Sequence, residues 1–234
     1  MRRYDVVYIL KQNIPAPNEL RYSLRSIEAN MTHGDVWFVG GQPKGITPDK
    51  RLPMVQKGRN KWERARSSLI AICKNEEISQ RFWLFNDDFY VMKRMLSTKP
   101  YFAGLLRDHI IRIESRRNSR PSMYSNALRE CERQLKRAGL TTFDYALHIP
   151  MLIDKTLMLE ALDAFPYCPM FRSIYGNYAK IGGTQHPDVK VKSPEQEIDP
   201  ELDFMSTSNK SFGGTAKALL AERFPEPCRY ETDG

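Results

Sequence analysis

The segment Phe82-Trp83-Leu84-Phe85-Asn86-Asp87-Asp88-Phe89 joins a run of four large apolar residues to two adjacent acids. A short, continuous apolar run is typical of a strand that is buried on both faces of a parallel sheet. In open sheets of this kind, ligands bind beyond the carboxyl ends of the strands. The segment therefore predicts an α/β fold with chemistry centred on Asp87 and Asp88.

A strand, a helix and a second strand are predicted upstream of this segment. Asp5 to Leu10 is continuous and rich in β-formers, and Asp35 to Val39 has the same character. Between them, Pro15 and Pro17 interrupt the chain, and Asn18 is positioned to cap a helix. A strand–helix–strand unit of this length implies a parallel pair with a right-handed crossover.

The remaining pattern predicts a single domain over residues 1–234. The chain is 41% hydrophobic, which is enough for a core, and α/β folds often reach this length as one unit. The other predicted parts are loops at residues 42–60 and 182–200 and helices at Trp62 to Lys74, Leu157 to Leu162 and Lys217 to Phe224.

A basic helical insertion is predicted at about residues 104–140. Residues 107–137 carry nine Arg or Lys against four acids, with helical spacing on both sides of Pro121. The stretch is either a solvated, charged helical face or a surface that binds an acceptor or another polyanion, which the net charge of +8 would attract. The nine residues are Arg107, Arg112, Arg116, Arg117, Arg120, Arg129, Arg133, Lys136 and Arg137.

The cysteine and hydropathy patterns predict a cytoplasmic protein, in the host cytoplasm if a phage encodes it. None of the four cysteines lies in a C-x-x-C pair, so we expect reduced thiols. No apolar run approaches the roughly 18 residues that span a bilayer, and Val6 to Leu10 is too short for an export signal. Membrane insertion is therefore not expected.

The two adjacent acids have two readings. Carboxylate oxygens suit Mg²⁺ or Mn²⁺, and such a metal can bridge diphosphate oxygens and neutralise charge on a leaving group. The alternative is that Asp87 and Asp88 form a turn or a helix cap. Two acids after a buried strand repel each other, and a bound cation would offset this repulsion. The position of the acids therefore favours the interpretation that they bind a metal.

Three further features offer candidate site residues. His148 is either a satisfied core histidine or a general base for a hydroxyl. Arg172 forms either a structural ion pair or a phosphate clamp. The run Ser206 to Ser211 can cap the following helix and donate to a phosphate. No P-loop and no G-x-G-x-x-G is present, which disfavours ATP-dependent phosphotransfer and dinucleotide binding.

Several segments, in order along the chain, resemble the conserved blocks of the Stealth family. Its members include bacterial capsule polymerases and the lysosomal-enzyme GlcNAc-1-phosphotransferase. The compact length is also similar to that of small phage- and bacterium-encoded proteins described as glycosyltransferases. The matching segments are Asp5 to Tyr8, Glu19 to Glu28, Phe85 to Phe89, His148 to Pro150, Phe165-Pro166, Phe171 to Ser173, and more faintly Ser206 to Asn209 and Phe224 to Pro227.

The resemblance implies a GT-A-like, Rossmann-like fold with a mostly parallel sheet flanked by helices. It also implies a divalent metal, Mn²⁺ or Mg²⁺, and a nucleotide-sugar donor, with a UDP-sugar expected. Stealth enzymes transfer sugar-1-phosphate to a hydroxyl. By this resemblance Arg21, Asn86 and Asn209 hold the donor, Asp87 and Asp88 hold the metal, His148 takes the acceptor proton and Arg172 holds phosphate.

The loop after the first strand differs from the family. Its usual W-V-D-G-S-D is replaced by Ile9 to Asn13, so Lys11 and Gln12 stand where the family has an acid. The sequence therefore predicts a metal-dependent transferase of sugar-1-phosphate or sugar to a glycan or polyanionic acceptor. One alternative is transfer to hydroxymethylated bases of phage DNA, although Tyr124 is the only aromatic in residues 107–137. A second is a non-catalytic module that binds nucleotide-sugar or polyanion.

Overall fold

Strands alternate with helices along the part of the chain that the computed structural model describes, which is residues 3–12, 18–116, 118 and 120–232. The elements are β1 (Asp5–Leu10), α1 (Asn18–Asn30), β2 (Val36–Gly40), β3 (Lys50–Leu52), α2 (Lys61–Lys74), β4 (Arg81–Phe85), β5 (Phe89–Val91), β6 (Tyr101–Phe102), α3 (Leu106–Ser115), α4 (Met123–Arg137), β7 (Met151–Asp154), α5 (Lys155–Ala164), α6 (Phe171–Tyr178), β8 (Thr184–Gln185), β9 (Phe204–Ser206) and α7 (Gly214–Arg223).

The central sheet has five strands in the order β3-β2-β1-β4-β7. The first four are parallel, and β7 runs antiparallel beside β4. The predicted parallel pairing of the first two strands is confirmed, as is the mostly parallel α/β architecture. The arrangement is compatible with a Rossmann-like fold.

Helices cover both faces of this sheet because successive strand residues face opposite sides. Val6 and Tyr8 join a core cluster with Leu24 of α1. Val7, between them, joins the other large cluster, which includes Leu69 of α2 and residues of α4, α5 and α6. All five side chains are fully buried. The carboxyl ends of β1 and β4 remain as the edge where a ligand can meet the sheet.

Two very short strands lie in segments that were predicted to be loops. Residues 50–52, within the predicted loop 42–60, form β3 and pair with β2. Residues 184–185, within the predicted loop 182–200, form β8 and pair with β6. These predictions were wrong because two or three residues carry no readable alternation, so that pairing with a neighbouring strand decides their structure.

The predicted helices are confirmed, with shifted ends. Helix α2 begins one residue early because the side chain of Asn60 accepts from the backbone N–H groups of Trp62 and Glu63. In α1 the apolar residues Leu20, Leu24 and Ile27, which recur at helical spacing, are all buried. The predicted break at Pro15 and Pro17 lies outside the described residues.

The basic insertion is part of the main core. Helices α3 and α4 lie on either side of Pro121, as predicted, and pack against each other. Ile110, Leu128 and Leu135 are buried in the same cluster as the sheet residue Leu84. The segment is therefore not a separable excursion, although its outer face is charged. Arg117, one of its nine predicted basic residues, lies outside the described residues.

Within the described ranges, no helix combines the length and the apolar character needed to cross a bilayer. The four cysteines Cys73, Cys131, Cys168 and Cys228 are all buried and none forms a disulfide. The expectation of free thiols is therefore confirmed.

Candidate functional site

The two adjacent acids lie in a tight turn that leads out of the central sheet. The carbonyl of Asn86 accepts from the backbone N–H of Phe89 at 3.3 Å. Strand β4 ends just before this turn, and β5 begins at Phe89 and pairs with β9 instead of joining the main sheet. The turn reading of Asp87 and Asp88 is thus correct, and the same turn lies at the carboxyl end of a central strand.

Asp87 and Asp88 line a cavity of about 460 Å³, which we call the acidic cleft. Asn209, which the Stealth resemblance assigned to donor binding, lines it as well, whereas Glu19 at the start of α1 was not predicted as a site residue. The sequence could have predicted Glu19, since an acid in the first turn of a helix that follows a strand lies at the same edge of the sheet. Lys11, Ser208 and Lys210 complete the polar lining.

The carboxylates of the acidic cleft are crowded and only partly compensated. Burial raises the pKa of Asp87, and the neighbouring charge of Asp88 raises it further. Asp88 Oδ2 accepts from Lys190 Nζ at 3.0 Å. Its other oxygen, Oδ1, is buried and has no hydrogen-bond partner in the described part of the chain. An unpaired buried carboxylate oxygen is costly, so it marks a position where a cation or donor is missing.

A buried chain of hydrogen bonds holds Glu19 in the acidic cleft. The hydroxyl of Thr207 donates to Glu19 Oε1 at 2.7 Å, and the Tyr90 hydroxyl lies 2.9 Å from the same Thr207 oxygen. Burial raises the pKa of Glu19, and the charges of Asp88 and Asp87 add to this effect. Strands β5 and β9, which carry Tyr90 and precede Thr207, therefore fix one wall of the cleft.

The fit of a divalent metal rests on two carboxylates. Among the described residues, no group of three or more His, Cys, Asp or Glu side chains has the arrangement of a metal site. Mg²⁺, however, is commonly held by one or two carboxylates and completes its shell with water and substrate phosphates. Asp87 and the unpartnered Asp88 Oδ1 fit such a partial site.

A second cavity, of about 170 Å³, adjoins the same turn, and we call it the His148 cavity. Its lining brings together three predicted site residues, Asn86, His148 and Arg172, with Phe89 and Tyr124. Tyr124 belongs to α4, so the basic insertion forms part of the wall of this cavity.

His148 is oriented by a carboxylate that was not predicted. Asp188 Oδ1 lies 2.8 Å from His148 Nδ1 and also accepts from the His148 backbone N–H at 3.4 Å. Burial opposes the charge of Asp188, but the hydrogen bond and the charge of His148 outweigh burial and lower its pKa. With 33% of its side chain exposed, His148 is not a core histidine. Nothing in the sequence around Asp188 marked it as a partner.

Arg172 is a buried cation in the wall of the His148 cavity. Its Nη1 donates to the Ile149 carbonyl at 2.7 Å and its Nη2 to the Leu84 carbonyl at 3.5 Å, while the guanidinium lies over the Phe89 ring. Burial lowers its pKa to about 10, an effect that the charge of Asp88 opposes. The ion-pair reading of Arg172 is wrong, since within the described residues it contacts no carboxylate at 4 Å or less.

Arg21 is not among the residues that line the acidic cleft or the His148 cavity. Its Nη1 donates to Glu231 Oε2 at 2.9 Å, and Arg25 binds the same carboxylate through two nitrogens. Arg21 therefore ties α1 to the C-terminal segment in this structure. Arg21 and Glu231 are 210 positions apart in the sequence, so no local pattern predicted their contact.

The hydroxyl-rich run does not cap the last helix. Helix α7 has Gly213 as its N-cap, without a side-chain hydrogen bond. Ser211 instead bonds back to Ser208, whose side chain lies 3.0 Å away. The capping prediction was wrong because these hydroxyls satisfy a local turn. The run nevertheless supplies Ser208, Asn209 and Lys210 to the acidic cleft.

Comparison with known proteins adds no identification. No protein-family model matches this chain, and a search of curated proteins found no similar sequence. The resemblance to the Stealth family therefore remains a prediction from the sequence.

Proposed function

We propose that this chain is a metal-dependent transferase of GT-A-like fold. It binds a nucleotide-sugar, with a UDP-sugar expected, in the acidic cleft and passes sugar-1-phosphate or the sugar to an acceptor hydroxyl in the His148 cavity. One observation carries the proposal, which is that the four-residue turn from Asn86 to Phe89 contributes to both cavities. A donor diphosphate at Asp87 and Asp88 would then lie next to an acceptor at His148, because neighbouring residues of one turn line the two cavities.

The donor end is supported by the polar groups around the acids. Lys11, Lys210, Ser208 and Asn209 line the cleft and can donate to phosphate oxygens. The lysines would offset the negative charge that a diphosphate brings near Glu19. Lys11 stands where the Stealth pattern has an acid, so the phosphates here would meet a cation at that position.

The metal would be held by Asp87 and Asp88. When bound, Mn²⁺ or Mg²⁺ supplies a Lewis acid that draws charge from the diphosphate as the donor bond breaks. Asp88 would bind the metal through Oδ1, while its Oδ2 is held by the hydrogen bond from Lys190. Burial and the charge of Asp88 raise the pKa of Asp87. A bound cation would act in the opposite direction and favour the charged form of Asp87.

The acceptor end is supported by the geometry of His148. Its Nδ1 is engaged by Asp188, which leaves Nε2 as the nitrogen that can take a proton from an acceptor hydroxyl. Asp188 would fix this tautomer and stabilise the imidazolium that forms. The rings of Phe89 and Tyr124 line the same cavity and would limit the access of water to the reacting hydroxyl.

The test is product analysis with UDP-sugars and Mn²⁺. Release of UMP indicates sugar-1-phosphate transfer, and release of UDP indicates sugar transfer. The variants Asp87→Asn and Asp88→Asn should lose turnover, while Asp163→Asn, an exposed acid on α5, should keep it. The proposal fails if no donor turns over or binds with any divalent metal.

One observation favours a polyanion, such as DNA, as the acceptor. In the described part of α3 and α4, Arg107, Arg112 and Arg137 are exposed and form no ion pair, and Tyr124 on the same unit lines the His148 cavity. A polyanion bound there would lose affinity steeply with salt, because each neutralised phosphate releases counterions. Binding that is insensitive to salt would exclude this acceptor class.

A non-catalytic binding module is distinguished by ligand binding without turnover. It would be stabilised by nucleotide-sugar, since ligand at about 100 times its Kd adds about 2.7 kcal/mol of stability. The Asp87→Asn variant would also bind as well as the wild type. Turnover that depends on Asp87 and Asp88 excludes it.

A further inference from the structure

A third cavity, of about 330 Å³, shares Arg172 with the His148 cavity. We call it the basic cavity. It is lined by Arg81 and Trp83 of β4, by Lys99 and Tyr101, and by Arg172. Its volume is in the range of sites that hold small organic ligands.

The charge of the basic cavity is one-sided. Three cationic side chains, Arg81, Lys99 and Arg172, line it, and no Asp or Glu is among the residues that do so. Within the described ranges, none of the three forms an ion pair with a carboxylate. The Arg81 guanidinium donates to the Tyr4 hydroxyl and lies over the Tyr4 ring, an uncharged partner. A concave site with cations and no anion favours an anionic ligand.

Trp83 supplies an independent observation. The ring is 4% exposed, and its Nε1 is buried with no acceptor in the described part of the chain. Buried indole N–H groups normally find a partner, so this one marks a missing acceptor atom. Trp83 is itself part of the wall of the basic cavity, so the unsatisfied N–H belongs to a residue that lines it.

The apolar part of the wall indicates what accompanies the anion. Tyr101 and Pro150 line the basic cavity beside Trp83, and all three also line a smaller adjoining cavity of about 160 Å³ that Lys99 shares. A ring or short carbon chain can pack against these surfaces. The smaller cavity is also lined by the exposed Arg94 and by Asp203, so the one-sided positive charge is confined to the basic cavity.

We propose that the basic cavity binds a phosphate monoester of a small molecule. The phosphate would pair with Arg81 and Lys99, one of its oxygens would accept from Trp83 Nε1, and the carbon part would lie against Tyr101. This site is distinct from the acidic cleft, and the proposal does not rest on the transfer reaction. Arg172 lies in the wall of both this cavity and the His148 cavity, so a bound phosphate would add an anionic neighbour to it.

The experiment is titration calorimetry of the full chain with inorganic phosphate and with glucose 6-phosphate, at constant ionic strength set with NaCl. We expect saturable binding of both, tighter for glucose 6-phosphate. Arg81→Gln and Lys99→Gln should each weaken binding about 10-fold or more, since each removes a charge-assisted hydrogen bond. Lys57→Gln and Lys217→Gln, two exposed lysines that line neither the acidic cleft, the His148 cavity nor the basic cavity, serve as matched controls and should bind as the wild type does.

Trp83→Phe keeps the ring and removes the N–H, and it should weaken phosphate binding as well. If thermal melting shows that this variant is unfolded, the exposed residues Arg81 and Lys99 decide the question. The proposal is overturned if neither phosphate nor glucose 6-phosphate binds saturably, or if Arg81→Gln and Lys99→Gln leave binding unchanged. It is also overturned if Lys11→Gln or Lys210→Gln abolishes binding instead, because the phosphate would then occupy the acidic cleft.

Discussion

His148 Nδ1 lies 2.8 Å from Asp188 Oδ1, although 40 positions separate the two residues in the chain. The same carboxylate oxygen accepts the His148 backbone N–H. A histidine held at one nitrogen by a carboxylate presents the other nitrogen in a fixed direction, which is what a general base requires. Asp188 therefore fixes the orientation of the His148 ring, which the sequence alone did not predict.

Asp188→Asn should lower kcat by about 10²-fold and leave the KM for the donor nearly unchanged. The amide keeps the size of the side chain but removes the charge that stabilises the imidazolium, and it can favour the wrong tautomer. Initial rates over a range of donor concentrations give kcat and the KM for the donor separately. Asp199→Asn, an exposed acid, is the control. An unchanged kcat, or a kcat and a KM that change together, would show that Asp188 plays no positioning role.

Asp87→Asn and Asp88→Asn should each weaken Mn²⁺ binding and lower turnover at least about 100-fold. Each change removes a carboxylate oxygen from the partial metal site, and loss of the metal costs several kcal/mol of transition-state stabilisation. Calorimetry with Mn²⁺ measures the affinity directly, and Asp163→Asn provides the matched control. Wild-type Mn²⁺ affinity in both variants would place the metal elsewhere.

Arg172→Met should lower the free energy of unfolding by about 2–4 kcal/mol. Methionine fills much of the space, but the carbonyls of Ile149 and Leu84 lose their donors, and buried unpaired carbonyls are costly. Urea denaturation measures the change. The exposed residue Arg107, replaced by Met, should change stability by less than about 0.5 kcal/mol. Equal stabilities of the two variants would contradict the contacts seen for Arg172.

Glu231→Gln should destabilise the fold by about 1–2 kcal/mol at pH 7, because Arg21 and Arg25 lose their shared anionic partner. Burial opposes ionisation of Glu231, but the hydrogen bonds from Arg25, the Cys228 backbone and Arg21 lower its pKa to about 2. A folded pKa below the unfolded value of 4.5 means that this stability is present above pH 4.5 and is lost as the pH falls toward 2.

The test of this pH dependence is thermal melting of the wild type and the variant between pH 7 and pH 2.5. The difference in melting temperature should shrink below pH 4.5. Glu226→Gln, a nearby exposed acid, should match the wild type throughout the range. A difference that stays constant down to pH 2.5 would show that the charge of Glu231 does not stabilise the fold.

Local pattern was sufficient for the elements that build the sheet. The continuous apolar runs at Asp5 to Leu10 and Phe82 to Phe85 predicted buried parallel strands, since strands covered on both faces need apolar residues at every position. The stripe of α1 and the turn acids after β4 followed from periods of 3.6 residues and from the edge rule of parallel sheets. These features depend on residues a few positions apart.

Tertiary structure alone decided which polar groups meet. Arg21 pairs with Glu231 across 210 positions, and Thr207 donates to Glu19 across 188. Arg172 found carbonyl partners where the sequence predicted an ion pair or a phosphate. Periodicity and propensity are local, whereas the partner of a polar side chain depends on how distant loops pack at the end of the sheet. The sequence therefore determined where the candidate site lies, and the packing of loops determined its hydrogen bonds.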